Sequence, residues 1–341
     1  MIARHPAVRP MALHPASLGE LVAAARSATE PPWPVWPPVV VRVDLDAPVV
    51  DAPPVPWWWT GVVVGVSPDP TDDEPAVCDV VVGEGADLDA IEATVTSNPL
   101  ASTALVTLLR GATGRSTSEG LLAESAVYSA LQAGPEFAAW RASRPPRERT
   151  DAGPRVHVAR DGDTLHVTLT RTEVHNALDT AMRDQLVEAL QLASLDDSIA
   201  EVHLRGDGPT FCAGGDLDEF GARPDPATAH LVRILQSAGR AIDAVAGRVT
   251  AHVHGACRGS GVELPAFAGR VIADSGATFG LPEVSLGLIP GAGGTVSLPR
   301  RIGRHRTALL ALTGQPIDAS SALDWGLVDG VVRSGLTERD I

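Results

Sequence analysis

Two glutamates stand in segments stiffened by glycine and proline. Glu263 lies in Gly259-Ser260-Gly261-Val262-Glu263-Leu264, and Glu283 closes Phe279-Gly280-Leu281-Pro282-Glu283, with Ile289-Pro290-Gly291-Ala292-Gly293-Gly294 following. Two carboxylates held by rigid turns suit the addition or removal of water across an activated double bond. One acid delivers a proton to carbon while the other orients and deprotonates water, so both must face one substrate. Pro265 fits this arrangement if Glu263 sits in the first turn of a helix, because proline is tolerated there and not further in.

The elements that carry these acids read as α/β. Val156–Val158 and Leu165–Leu169 alternate around Asp161-Gly162-Asp163, which predicts a hairpin. Asp179 is placed to cap a helix with Met182, Leu186, Leu190 and Ala193 along one face. A strand at Val202–Leu204 leads to the loop Ala213-Gly214-Gly215-Asp216, and a strand at Val249–Val253 leads to Gly259-Ser260-Gly261. Both loops are expected to present backbone N–H groups at helix starts, where developing negative charge is favoured. Taken alone, Ala213–Asp216 reads first as an ordinary tight turn with Asp216 as a helix cap.

Composition bounds the chemistry further. The 341 residues, 44% hydrophobic, support a substantial core. The chain contains no lysine, which excludes Schiff-base and P-loop chemistry and leaves arginine as the strong cation for phosphate groups. A formal charge of -15 argues against nonspecific nucleic-acid binding. Cys78, Cys212 and Cys257 are far apart and form neither a disulfide framework nor a zinc site, and Cys212 reads as a small apolar filler. His252 and His254 share one face of a strand, but without a third ligand at sensible spacing they read as packing or hydrogen-bonding groups. No stretch near the start is apolar enough for a signal peptide or membrane helix, so a cytoplasmic location is expected.

The chain divides at 143–154, where Ser143-Arg144-Pro145-Pro146-Arg147-Glu148-Arg149 reads as a linker. Residues 1–60 form a Pro/Trp-rich segment with a first strand at Val39–Val43. Residues 61–142 form an α/β module with strands at Gly61–Val66 and Asp79–Val82 and helices at Leu88–Val95, Leu100–Arg110 and Gly120–Ala133. The proline-rich run from Pro31 to Pro56 is expected to be extended, in a packing or linking role, and Trp57-Trp58-Trp59 to be buried against a neighbouring element or subunit.

The second half, from Arg155 to about Val332, resembles the crotonase (enoyl-CoA hydratase/isomerase) superfamily. The motifs that carry the resemblance are Thr170-Arg171-Thr172-Glu173-Val174-His175-Asn176-Ala177-Leu178, Phe211-Cys212-Ala213-Gly214-Gly215-Asp216-Leu217, the two glutamate segments, Pro290-Gly291-Ala292-Gly293-Gly294 and Trp325-Gly326-Leu327-Val328. The resemblance implies a ββα-spiral domain over 155–341 and an acyl-CoA thioester substrate, with no cofactor beyond the CoA of the substrate itself. It implies that the backbone N–H groups of Gly215 and Ser260 form an oxyanion hole for an enolate. Glu263 would then activate water for attack at Cβ and Glu283 exchange the proton at Cα. It assigns Ala177, Ala213, Asp216 and Leu217 to substrate binding. A homo-oligomer, trimer or hexamer, is expected, with no membrane partner. Serine at 260 departs from the usual glycine, but only its N–H is required.

After Gly326-Leu327-Val328 the family continues into helices that cover the acyl-CoA and build the trimer, whereas this sequence reaches Ile341. Asn98-Pro99-Leu100-Ala101, Gly120-Leu121-Leu122-Ala123-Glu124-Ser125, Glu136-Phe137-Ala138-Ala139-Trp140 and Arg144-Pro145-Pro146-Arg147 look like that missing segment. The expectation is that the N-terminal region, a degenerate crotonase-like unit, supplies those helices in permuted order. Three functions fit: an enoyl-CoA hydratase working in either direction; another crotonase-type enzyme, such as an isomerase, thioester hydrolase or cofactor-free oxygenase; or a non-catalytic acyl-CoA-binding assembly partner.

Overall fold

The computed structural model describes residues 14–15, 18–27, 40–45, 53–56, 58–68, 75–147, 153–222 and 225–333. Most of the proline-rich run, Trp57 and residues 148–152 of the expected linker lie outside them.

The N-terminal part runs β1 (His14–Pro15), α1 (Leu18–Ser27), β2 (Val40–Asp44), β3 (Val62–Val66), β4 (Val80–Val82), α2 (Ala86–Ser97), α3 (Pro99–Arg110), α4 (Thr117–Gln132) and α5 (Pro135–Ser143). Its strands form one parallel sheet in the order β1-β2-β3-β4. Both faces are covered, so valines fill successive positions, as parallel sheets require. Val40, Val62, Val64, Val66, Val80 and Val82 join the main core, while Val41, Val43, Val63 and Val81 pack with Leu21 of α1 and Trp59 in a smaller one. Trp59 is fully buried there and Trp58 is exposed. A buried ion pair, Arg110 to Asp79 at 2.6 Å, fastens α3 to the edge of the sheet.

The second part runs β5 (Val156–Asp161), β6 (Thr164–Leu169), α6 (Thr180–Leu195), β7 (Glu201–Gly206), α7 (Pro226–Leu235), α8 (Ala238–Asp243), β8 (Val249–Val253), β9 (Ala256–Arg258), α9 (Ser260–Glu263), β10 (Arg270–Asp274), β11 (Thr278–Gly280), α10 (Gly294–Thr313), β12 (Ile317–Asp318), α11 (Ala319–Trp325) and β13 (Gly330–Val332). A six-stranded sheet has the order β13-β10-β8-β7-β6-β5, parallel apart from the expected β5–β6 hairpin. A three-stranded sheet, β12-β11-β9, lies beside it in the order of the spiral. Asp179 caps α6 by accepting the Met182 N–H at 2.7 Å, and Met182, Leu186, Leu190 and Ala193 are buried below it.

The two parts share one core. α10 packs against α2, α3 and α4, and Leu105, Leu121, Tyr128 and Phe137 belong to the same buried cluster as Phe267, Leu288 and Val296. Gly120 allows a close approach, since a Cβ there would press into Val296.

Candidate active site

The loop after β7 is anchored by buried charge. Arg171 donates to the Ala177 carbonyl at 2.9 Å and pairs with Asp216 at 2.7 Å, both side chains almost fully buried. Asp216 also accepts the Asp218 N–H at 3.0 Å. The helix expected after Gly215 is therefore not there: Asp216 turns inward to an arginine instead of capping, and the chain continues through turns to residue 222. Leu178 and Gly215 form an isolated parallel bridge, which fixes the direction of Gly215. Ser260 begins the single turn of α9 after Gly259, whose φ of 48° suits glycine. Among the described residues neither the Gly215 N–H nor the Ser260 N–H has an acceptor, and both residues line the same cavity. The Ser260 hydroxyl turns away to Cys212 Sγ at 3.6 Å, so the extra side chain is absorbed by the core. Burial raises the Cys212 thiol, consistent with a filler and not a nucleophile.

That cavity, about 370 Å³, is lined from both parts of the chain. α9, the turn at 283, the 291–293 turn and the Gly215 loop form one side, and α4, α5 and α7 contribute Leu121, Tyr128, Phe137 and Arg233. Glu263 and Glu283 are both buried within it. Glu263 accepts the N–H groups of Ala292 and Gly294 on one oxygen, each at 2.8 Å. Burial pushes its pKa up, and those two N–H groups pull it back. Glu283 differs. Its Oε2 has no hydrogen-bond partner among the described residues, and burial, followed by the Glu263 charge, holds the acid well above the ordinary 4.5. Donors favour the anion and desolvation favours the neutral acid, so the pair divides into a held carboxylate and a proton-bearing acid.

A third buried carboxylate joins them from the N-terminal part. Glu124 of α4, 2% exposed, accepts the Gly293 N–H at 2.7 Å and both the N–H and hydroxyl of Thr295 at 2.9 and 2.7 Å. Burial first and the Glu263 charge second push its pKa up. Sequence reasoning assigned Glu124 to a helix and gave it no role.

Of the four residues the resemblance assigns to substrate binding, Asp216 lines the cavity, and its carboxylate is occupied by Arg171. Ala177, Ala213 and Leu217 lie outside the lining, on the loops beside it. Arg141 of α5 donates to the Leu217 carbonyl at 2.7 Å, tying α5 to the loop that carries Gly215. The histidines resolve as hydrogen-bonding groups: His252 meets His203 Nδ1 at 2.9 Å, and His254 meets the Gly208 carbonyl at 2.9 Å. Among the described residues no His, Cys, Asp and Glu cluster could hold a metal ion, and no helix is long and apolar enough to cross a membrane.

Comparison with known proteins agrees with this geometry. The profile of the enoyl-CoA hydratase/isomerase family matches residues 160–338. The chain is 38% identical over 180 residues to 2,3-dehydroadipyl-CoA hydratase of Escherichia coli, covering 53% of this chain and 70% of that one. It is 35% identical over 178 residues to an enoyl-CoA isomerase/hydratase of Mycosarcoma maydis, covering 49% of this chain and 64% of that one. The crystal structure of enoyl-CoA hydratase from Bacillus anthracis superposes with a TM-score of 0.50 at 32% identity, covering 55% of this chain and 73% of that one. The chain thus spans about two thirds of the length of these relatives, and they match its second half. With the profile covering 160–338 and the spiral built around the Gly215 and Ser260 loops, the protein belongs to the crotonase (enoyl-CoA hydratase/isomerase) superfamily.

Proposed function

We propose that the protein is an enoyl-CoA hydratase, adding water reversibly across the Cα–Cβ double bond of a 2-enoyl-CoA thioester. The observation that carries this reading is the unlike setting of two buried acids beside two uncommitted N–H groups. Glu263 is held as an acceptor by Ala292 and Gly294, whereas Glu283 keeps an oxygen with no partner among the described residues.

In this reading the thioester oxygen accepts from Gly215 N–H and Ser260 N–H. Glu263 takes a proton from water as the water oxygen bonds to Cβ. The π electrons move through Cα to the thioester oxygen, giving an enolate held by the two donors. Each such donor is worth about 3–4 kcal/mol at the developing charge. Glu283 then protonates Cα as the enolate collapses, and proton exchange with solvent returns Glu263 to its anion and Glu283 to its acid. The names of the relatives, one a hydratase and one an isomerase/hydratase, support an enoyl-CoA substrate without fixing the acyl group. With no lysine in the chain, arginine is the strong cation for the CoA phosphates.

The test is the loss of enoyl-thioester absorbance with short, long, dicarboxylic and aromatic 2-enoyl-CoAs. Glu263→Gln and Glu283→Gln are each expected to lower kcat by about 10²–10⁴, the usual contribution of a general acid or base. Turnover unaffected by either change removes this reading. Conversion of 3-enoyl to 2-enoyl thioesters with no 3-hydroxyacyl product would move the protein to the isomerases.

A further inference from the structure

The turn that holds Glu263 is held by a second acid from the other side. Residues 292–295 offer successive N–H groups, and two carboxylates take them alternately. Glu263 accepts from Ala292 and Gly294, and Glu124 accepts from Gly293 and Thr295. These are N–H groups at the start of α10, which have no acceptor within their own helix and whose dipole favours negative charge. The turn is stripped of side chains to permit the grip: Gly293 has φ 112°, and a Cβ on Gly294 would meet the Glu263 side chain.

We infer that Glu124, delivered by the N-terminal part of the chain, is a positioning residue for Glu263, fixing the turn that holds this base. The inference rests on the hydratase reading, with Glu263 as the base that activates water. Its own content is that the catalytic half does not set the strength of its base alone.

The groups facing Glu124 are Glu263 of α9, Glu283 of the 283–286 turn, Arg233 of α7 and Tyr128 one turn along α4. Arg233 stacks over the Tyr128 ring at 4.6 Å and donates to Ser125 and Gln132, so it does not neutralise Glu124 by direct contact. The Glu263 charge raises Glu124, so Glu263 is the first of the two to ionise and Glu124 the one that keeps its proton. By holding the Gly293 and Thr295 N–H groups, Glu124 keeps those of Ala292 and Gly294 aimed at Glu263, where they favour its anion. The Glu263 charge in turn discourages ionisation of Glu283, the acid that must keep its proton until the enolate forms.

The experiment is the pH profile of kcat/KM for wild type, Glu124→Gln and Glu124→Asp with a turned-over 2-enoyl-CoA. Glu124→Gln turns an amide NH2 toward one of the turn N–H groups, and is expected to loosen the turn, weaken the two donors to Glu263 and move the acid limb, where Glu263 becomes protonated, toward higher pH. It is also expected to lower kcat roughly tenfold to a hundredfold, part of the 10²–10⁴ a general base supplies. Glu124→Asp keeps a carboxyl group that can accept from the turn and is expected to keep the acid limb near its wild-type position. A merely structural role predicts lost activity or thermal stability with an unmoved limb, and that result overturns the inference. Full activity in Glu124→Gln overturns it too. The same comparison can be made without turnover by titrating the Glu263 carboxyl stretch in difference infrared spectra, assigned with Glu263→Gln. An inactive wild type would end the hydratase reading, while the infrared titration would still decide whether Glu124 sets the proton affinity of Glu263.

Discussion

Glu283, the acid proposed to protonate Cα, is held at a cost in stability. Among the described residues its Oε2 has no donor, and its pKa is held well above 4.5 mainly by burial. The folded chain therefore keeps this proton at a pH where the unfolded chain has released it, so the native state binds more protons and stability falls as pH rises through that window. Glutamine has nothing to titrate. Glu283→Gln is expected to melt higher than wild type near pH 7, by about 2–4 °C for each kcal/mol recovered, with the advantage shrinking toward pH 4.5. Calorimetry across that range checks it, and an advantage that grows as the pH is lowered would contradict the assignment. Paired with lost hydration activity, the higher melting temperature would mark Glu283 as a residue kept for chemistry. Both glutamates were legible in the sequence because their frames are local: Gly259 and Gly261 before one, Gly280 and Pro282 before the other. Their unlike proton affinities were not, because those depend on donors from the 292–294 turn, which only folding brings to Glu263.

At the scale of elements, the strands and helices were readable wherever one face is apolar, as in Val249–Val253 and the stripe on α6. The exception is the stretch after Gly215. Its sequence suits a helix start, but Arg171, on a loop from another part of the sheet, takes Asp216 at 2.7 Å and leaves a turn. A buried ion pair formed at long range outweighs a local cap that would return about 1 kcal/mol. The single turn of α9 depends on a different contact. A Cβ at Gly261 would run into the Cys212 carbonyl, so the turn and the strand-end loop approach backbone to backbone. Gly261→Ala is expected to cost about 1–3 kcal/mol through overpacking and to displace the Ser260 N–H. Its kcat should fall by a larger factor than its KM rises, because the donor acts on the enolate more than on the bound thioester. A rise in KM alone would mean that Ser260 holds the ground state only.

At the scale of the molecule, the N-terminal part closes one side of the cavity: α4 and α5 line it and Arg141 ties α5 to the loop that follows Gly215. Loose motifs such as Gly120-Leu121-Leu122 and Glu136-Phe137 made that placement legible, since an amphipathic helix announces its buried face. Glu124 stayed hidden because it reads as one more helix acid, and its partners Gly293 and Thr295 lie 169 and 171 residues along the chain. The same distance carries a prediction about the isolated second half. Residues 153–341 alone would leave the Gly293 and Thr295 N–H groups without acceptors and expose the apolar surface around Phe267, Ile289 and Val296, which the shared core now covers. The fragment is therefore expected to aggregate or to lose its near-ultraviolet circular dichroism, with hydration activity at least a hundredfold below the full chain. Co-expression with residues 1–147 should restore both signals, because the contacts between the parts are packing and hydrogen bonds with no covalent requirement. A soluble, fully active 153–341 fragment would show that the catalytic half closes its own cavity, and the role of α4 would have to be abandoned.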